Sequence, residues 1–431
     1  MPFRKRRNPR RPPGERNESQ VVRTVGLIVE YNPLHNGHVY HFEQAKRLTG
    51  AEAAVAVMSG HFLQRGEPAV VGKWARAEMA LRMGADLVLE LPVAYACQPA
   101  EWFAYGAVAT LERTGVVDAL CFGSESGDLA WLSALADGLS AESAAFRTAL
   151  AARLKQGLPY PAAYGEAAGD TLPEADARRL AEPNNTLGLH YLLALRRLGS
   201  RIEPATVTRH KAGYHDREAA DARIASATAL RRMLGEDGLE ALRPYVPHST
   251  YEVLTQELAA GRGPVDWDRF VPALLHQLVT RPAAELESLA EVREGLEHRI
   301  LQALPRLQPA AGTIRFEELL AALKTKRYTR TKLQRTLLRI LLNHRKDQLA
   351  RPILAEGPSY LRVLGFTSRG QALLKRMKRT ATRPVIAQAG RFADPLFELD
   401  VRATAVYALG YANPHPDELF RDYYQPPVRA D

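Results

Sequence analysis

Short apolar runs alternate with amphipathic stretches through the first half of the chain. Val25–Val29 reads as a buried strand, and the residues after it set Val39, Phe42, Ala45 and Leu48 along one helical face. Ala53–Met58 is a second apolar strand closed by Ser59-Gly60, and a helix follows over Lys73–Met83. Asp86–Glu90 predicts a third strand stopped by Pro92, Ala100–Arg113 a further helix, and Ala119–Phe122 a fourth strand ending at Gly123-Ser124. Residues 130–182 are rich in Ala and Leu and read as helical, an insertion or cover on the sheet. Another helix starts after Pro183-Asn184-Asn185, and Ile202–Thr208 is the next strand. Strands separated by helices of this length predict an α/β fold with a parallel sheet and right-handed crossovers, whose ligands sit beyond the carboxyl ends of the strands. Beyond about Pro244 the pattern is Leu-rich and helical with no clear strand alternation, and no internal repeat stands out. The expected division is a basic tail over 1–22, an α/β domain over 23–245 and a mainly α-helical C-terminal domain over 246–431, with the border between 240 and 250.

Composition narrows the class. A chain of 431 residues has room for about two or three domains. No apolar run approaches the roughly 18–20 residues of a membrane span, and the basic N-terminus lacks an apolar signal core. Two cysteines, Cys97 and Cys121, lie in apolar settings and supply neither a disulfide framework nor a thiolate zinc site, which points to a reducing cytoplasm.

The net charge of +10 is uneven. Residues 1–20 hold seven Lys/Arg against Glu15 and Glu18, on a Pro/Arg/Asn-rich tail expected to be disordered. That tail is either a solvated extension or an RNA-contacting arm. From Lys324 to Lys346 there are nine Lys/Arg and no acid. Lys324, Lys326, Arg327, Arg330, Lys332, Arg335 and Arg339 recur at helical spacings, with Tyr328 placed to stack on a base. Cations in this pattern suit an RNA backbone, which they position through salt-sensitive phosphate contacts; the alternative is an ordinary solvated helix face. Arg362 to Arg383, with Lys375, Arg376, Lys378 and Arg379, is expected to extend the same surface.

The chemistry concentrates at the predicted strand ends. His35-Asn36-Gly37-His38 follows the first strand where a helix must begin. A helix start offers unpaired N–H groups and the positive end of a dipole to a polyphosphate. Gly37, without a Cβ, lets phosphate approach the backbone, and the two imidazoles can donate to phosphate oxygens and stabilise a leaving pyrophosphate. A structural role for both histidines, in capping or core hydrogen bonding, is the competing reading. Asn32 and Pro33 shape the turn. Ser59–Ala69, after the second strand, is dense in donors and glycines; its Arg65 neutralises a carboxylate or phosphate, or pairs with a surface acid. Gly123, in the loop after the fourth strand, leaves room for adenine or ribose. Asn184 and Asn185 open a helix, where one amide caps and the other is free to reach a base. Arg209 and Lys211 put positive charge where pyrophosphate would leave. Ser226-Ala227-Thr228-Ala229-Leu230-Arg231 sets small hydroxyl residues at a helix start with an arginine one turn on, suited to a triphosphate.

Together the His-Asn-Gly-His turn and the downstream Ser226–Arg231 element resemble the nucleotidyltransferase superfamily. No Lys-Met-Ser-Lys-Ser signature accompanies them, which argues against an aminoacyl-tRNA synthetase. Longer matches narrow the resemblance: Val29–His38, Met58–Ala69, Phe122–Glu125, Pro183–Asn185, Lys211–Asp216 and Lys324–Arg335 are similar to the bacterial tRNA(Met) cytidine acetate ligase family, over roughly residues 22–425. The resemblance implies a Rossmann-like nucleotidyltransferase domain and two steps. Acetate attacks the α-phosphate of ATP to give acetyl-adenylate and pyrophosphate. The exocyclic amine of the wobble cytidine in elongator tRNA(Met) then takes the acetyl group, giving N4-acetylcytidine and AMP. The ATP site implied is the stretch Ile28, Val29, Glu30, Tyr31, Asn32, Pro33, Leu34, His35, Asn36, Gly37, His38 and His41, with Gly123, Asn184 and Arg209; Ser226 and Arg231 join it from the superfamily element. Leu34 stands where family members often have Phe. The tRNA contacts are placed on Lys324, Lys326, Arg327, Arg330, Lys332 and Arg335. Gln64 and Arg65 are candidates to hold acetate. Mg²⁺ is expected with ATP, although no carboxylate cluster identifies a protein ligand for it. An adenylyltransferase for a small coenzyme precursor, and a non-catalytic RNA-binding protein, are the rival readings.

Overall fold

The computed structural model describes residues 22–140, 143–158, 160–172, 175–209, 223–308, 312–325 and 328–431. Five parallel strands form the centre of one sheet: β1 (Thr24–Val29), β2 (Ala53–Ser59), β3 (Leu87–Leu91), β4 (Ala119–Ser124) and β5 (Glu203–Thr208), in the order β5-β4-β1-β2-β3. Every residue of β2 and β3 is buried, as strands covered on both faces by crossover helices must be. Of those helices, α1 (Asn36–Thr49) turns Phe42 and Ala45 to the sheet, and α2 (Lys73–Met83) is buried along most of its length. Helices Ala100–Thr114 and Pro183–Arg197 pack on the other face. The strand order reverses between β4 and β2 around β1, so the turn after β1 opens at the switch point of the sheet, where such folds bind ligands.

The C-terminal part is mainly helical, as expected, and it also carries strands that no alternation in the sequence marks. β6 (Leu361–Phe366) pairs antiparallel with β3, and β7 (Val385–Ile386) and β8 (Val428–Arg429) pair with β6. Residues 246–431 therefore extend the first sheet and do not stand apart from it. Leu337, Leu361 and Tyr407 lie in the same apolar core as Val55, Val57 and Leu89. The alternation of β6 is hidden because it is buried from end to end except at Phe366, and because an arginine, Arg362, sits inside it. That arginine is 1% exposed and faces Asp422, so it belongs to no RNA surface. Among the described residues, no helix is long and apolar enough to cross a membrane.

Candidate active site

The chain leaves β1 through Glu30, Tyr31 (φ 49°) and a cis Asn32–Pro33 bond, and enters α1 at His35. Leu34 is fully buried and Val29 nearly so, which makes them core residues that hold the turn down, with Ile28 packed partly against the opposite face. His35 Nδ1 accepts the Gly37 N–H at 3.1 Å, and His38 Nδ1 accepts the His35 N–H at 3.2 Å. The two histidines thus cap the helix reciprocally, as a hydroxyl and a carboxylate do in a capping box. With both Nδ1 lone pairs engaged, each neutral ring carries its proton on Nε2. Burial, reinforced by the charge of Arg209, lowers the His35 pKa to about 4. Burial and the neighbouring His35 and Arg209 push His38 well below the usual histidine value. Both rings are therefore neutral Nε2–H donors near pH 7, with centroids 3.8 Å apart.

This geometry corrects the expected role of the helix start. Its N–H groups are not free: Gly37 donates to His35, Asn36 N–H donates to the Tyr245 carbonyl at 2.9 Å, and His38 N–H to the His35 carbonyl. Gly37 is demanded by the His35 ring, whose Cε1 would lie 2.9 Å from an added Cβ. The Asn36 side chain donates to the carbonyls of Arg223 and Pro244, tying the turn to the segment around Ser226. What the turn presents is imidazole, with the backbone already spent.

Gly123 is explained in a similar way. A Cβ there would meet Arg209 Cγ at 3.0 Å and Cδ at 3.1 Å, so the glycine makes room for the arginine stem beyond the sheet end, where adenine or ribose was expected. Arg209 Nη1 donates to Asn184 Oδ1 at 3.0 Å, and Asn184 Nδ2 donates to Glu125 Oε1 at 2.7 Å. Glu125 also accepts the backbone N–H of Asn184 and Asn185, capping a helix whose own N-cap, Glu182, makes no side-chain cap bond. Its neighbour Asn185 is bound to Ser126, Arg179 and Glu182, so neither asparagine amide is idle. His41 lies one turn beyond His38; burial and Arg209 lower its pKa to about 4, and its Nε2 has no hydrogen-bond partner. No local signal marks Glu125, because its work is to cap a helix begun 58 residues later.

On the other side of the turn, Ser226 caps the helix Ala227–Glu236 by accepting the Ala229 N–H. Arg231 Nη1 donates to the Asn32 carbonyl and Nη2 to Glu67 Oε2, each at 3.0 Å. The loop after β2 closes on itself through Leu63 and Glu67, with Arg65 exposed at its tip and unpaired with any acid among the described residues. Glu30, whose carboxyl burial pushes above the usual range, accepts the Gln64 N–H at 2.7 Å. The sequence missed Arg76, which is fully buried and donates to the carbonyls of Glu30, Ser59 and Gly60, pinning the ends of β1 and β2 together.

The expected RNA helix, Arg330–Leu341, does lie beside this end of the sheet: a Cβ on Gly66 would sit 2.6 Å from Arg335 N. Its cations are largely committed to protein. Arg330 pairs with Glu317, Arg335 faces Glu291 at 3.5 Å, and Arg339 is fully buried, donating to the carbonyls of Val93 and Cys97. Tyr328 is 6% exposed with its hydroxyl on the Arg293 and Glu294 carbonyls, so it cannot stack on a base. Lys324 is exposed, and Lys332 rests over the Tyr328 ring at 4.8 Å. Lys326, Arg327 and the Lys211–Asp216 stretch lie outside the described residues, as does the basic tail.

A parallel sheet with paired neutral imidazoles at its switch point, an asparagine-held arginine on one side and a Ser–Arg helix start on the other define a nucleotidyltransferase. The family model HIGH Nucleotidyl Transferase matches residues 22–421, and the chain belongs to that family. Within it, the chain is 40% identical over 417 residues to the tRNA(Met) cytidine acetate ligase of Caldanaerobacter subterraneus, covering 95% of this chain and all of that one. It is 39% identical over 417 residues to the protein of that name from Bacillus subtilis, covering 95% and 98%. The crystal structure of Thermotoga maritima TmcAL bound with alpha-thio ATP superimposes with a TM-score of 0.85 at 34% identity, over 94% of this chain and 99% of that one. The chain is a member of the tRNA(Met) cytidine acetate ligase family.

Proposed function

We propose that this chain activates acetate with ATP and transfers the acetyl group to the wobble cytidine of elongator tRNA(Met), in a reducing cytoplasm where that RNA resides. The observation that carries the reading is the pair of neutral imidazoles, each fixed by a backbone bond at Nδ1 and left with a donor at Nε2. An acetate oxygen attacks the α-phosphate, forming the acyl–phosphate bond as the bond to pyrophosphate breaks. Negative charge grows on the phosphoryl oxygens, and donors preorganised around it supply most of the catalysis such a transfer needs. His35 and His38 take that role, and Arg209, oriented by Asn184, balances the departing pyrophosphate. Arg231 reaches the triphosphate by exchanging Glu67 for it. In the second step the cytidine amine attacks the acetyl carbonyl, releases AMP and loses a proton; a single-stranded anticodon base is accessible to such a site.

Among the described residues no group of three or more His, Cys, Asp or Glu side chains forms a metal cradle. In this reading Mg²⁺ enters on the phosphates of ATP. Lys324 and Lys332, with Arg330 and Arg335 once their acids are displaced, contact the RNA beside the β2 loop.

The test is acetate-dependent ATP–pyrophosphate exchange, followed by transfer of labelled acetate to tRNA. His38→Ala should lower exchange by about 10²–10³-fold, the effect of losing one oxyanion donor. Full exchange in that variant overturns the role. Pyrophosphate release only with a small phosphorylated acceptor supports an adenylyltransferase instead.

A further inference from the structure

The second basic segment, Arg362–Arg383, does not extend the surface beside the active site. Its helix, Ser368–Thr380, crosses the amino ends of the parallel strands. The Thr367 N–H donates to the carbonyl of Asp86, just before β3; Arg369 donates to that of Glu52, before β2; Arg376 to that of Val22, before β1. Thr380 donates to Thr114, at the end of the helix that leads into β4. The histidine turn lies at the opposite end, one strand length or roughly 20 Å away.

Residues 368–383 hold six Lys/Arg and no acid. Arg376 spends its hydrogen bond on the neutral Val22 carbonyl, so its charge survives, whereas Arg369 also lies 3.9 Å from the Asp86 carboxylate and is balanced by it. Lys375, Lys378 and Arg379 share one helical face, are exposed, and pair with no carboxylate among the described residues. Beside them runs a groove of about 860 Å³ lined by Gln371, Lys375, Lys378 and Arg429, with Phe366 and Pro427 as its apolar wall. Arg429 lies over the Phe366 ring at 5.4 Å. The contrast with the helix beside the active site is direct: there acids neutralise or burial removes most cations, and here, among the described residues, only Arg369 meets an acid.

The geometry points to a second RNA-binding surface at the amino end of the sheet, centred on Lys375, Lys378 and Arg379, which holds the phosphate backbone of a tRNA stem while the catalytic end takes the anticodon nucleotide. The inference rests on the reading of tRNA as acceptor. Phosphate contacts of this kind position the RNA and carry no sequence information, so selection of the cytidine stays at the other end.

The test uses the full chain with Lys375→Gln, Lys378→Gln and Arg379→Gln combined, substitutions that keep helix propensity on an exposed face. Fluorescently labelled tRNA gives Kd at several salt concentrations, beside acetate-dependent pyrophosphate exchange without RNA. The expected result is a Kd raised roughly tenfold or more, and a salt slope reduced by about 2–3, one lost counterion per contact. Exchange and the thermal midpoint stay as in wild type. An unchanged Kd and slope overturn the proposal, as does unchanged tRNA binding with lost affinity for anionic phospholipid vesicles. A wild type that binds tRNA without acetylating it would overturn the proposed activity and leave this surface to be judged on the Kd ratio alone.

Discussion

His35 and His38 act as one unit. Each ring's Nδ1 accepts a backbone N–H of the helix start, and that bond decides which nitrogen is left to meet a phosphate. Their low pKa values have a consequence for stability. A histidine whose folded pKa lies below its unfolded value near 6.5 contributes no proton-linked change above that value. Stability is lost as pH falls below it, because the unfolded chain binds the proton first, and the loss ends once pH passes the folded pKa. His35, His41 and His190 are lowered to about 4, and burial also holds His38, His61 and His344 well below the usual histidine value. Urea midpoints should therefore hold steady from pH 8 to 7 and fall steeply between about 6.5 and 4. In NMR titrations the ring signals of His35 and His41 should move near pH 4. Inflections near 6.5 for these two rings would refute their burial as neutral imidazoles.

Among the elements, the loop after β2 and the helix Arg330–Leu341 meet backbone to backbone. Gly66 has φ 77° and its missing Cβ faces the backbone of Gln334 and Arg335. Gly66→Ala therefore meets both a left-handed backbone and peptide atoms that cannot rotate away. It should cost about 1–3 kcal/mol and displace the loop. Gly50→Ala, at φ 63° with open space around it, carries only the backbone penalty and serves as the control. Equal losses for the two in urea denaturation would show that the contact is slack.

Much at this level was legible in the sequence. The parallel strands, α1, α2 and the helix after Pro183 fall where apolar runs and breakers put them, because each is a local pattern, a short apolar run for the strands and an apolar stripe recurring every three to four residues for the helices. β6 is hidden because Arg362 interrupts its short apolar run, and Arg339 recurs at the spacing of a surface cation. Helical spacing tells which residues share a face, but not whether that face meets water or the carbonyls of Val93 and Cys97.

At the scale of the molecule, the two ends of the chain are joined by buried charge. Lys73, fully buried on α2, donates to both oxygens of Glu90 on β3 at 2.9 Å and to Asp422 at 3.0 and 3.1 Å. Burial alone would pull this ammonium down, yet Asp422 and Glu90 outweigh it and raise its pKa. Asp422→Ala removes one partner and leaves Lys73 and Arg362 short of charge in the interior. A loss of about 3–5 kcal/mol is expected, since the remaining charges cannot be solvated. A fragment of residues 23–245 should fail to fold as a monomer, because without β6 it exposes the buried edge of β3. A stable, cooperatively melting fragment in circular dichroism and sedimentation would show the parts to be independent.

By itself the sequence determined the class of chemistry. A histidine turn at the end of a buried strand, with long motifs around it, is local information, and local information survives in one dimension. Tertiary structure decided what each group is free to do. It assigned the helix-start N–H groups to the histidines, Gly123 to Arg209, and the remote Glu125 to the Asn184 helix cap. It also sent one basic helix into contacts with protein and left the other exposed at the far end of the sheet. Hydrogen-bond partners and burial are set by residues far apart in the chain, and a charge acts on a ligand only where no closer partner has already taken it.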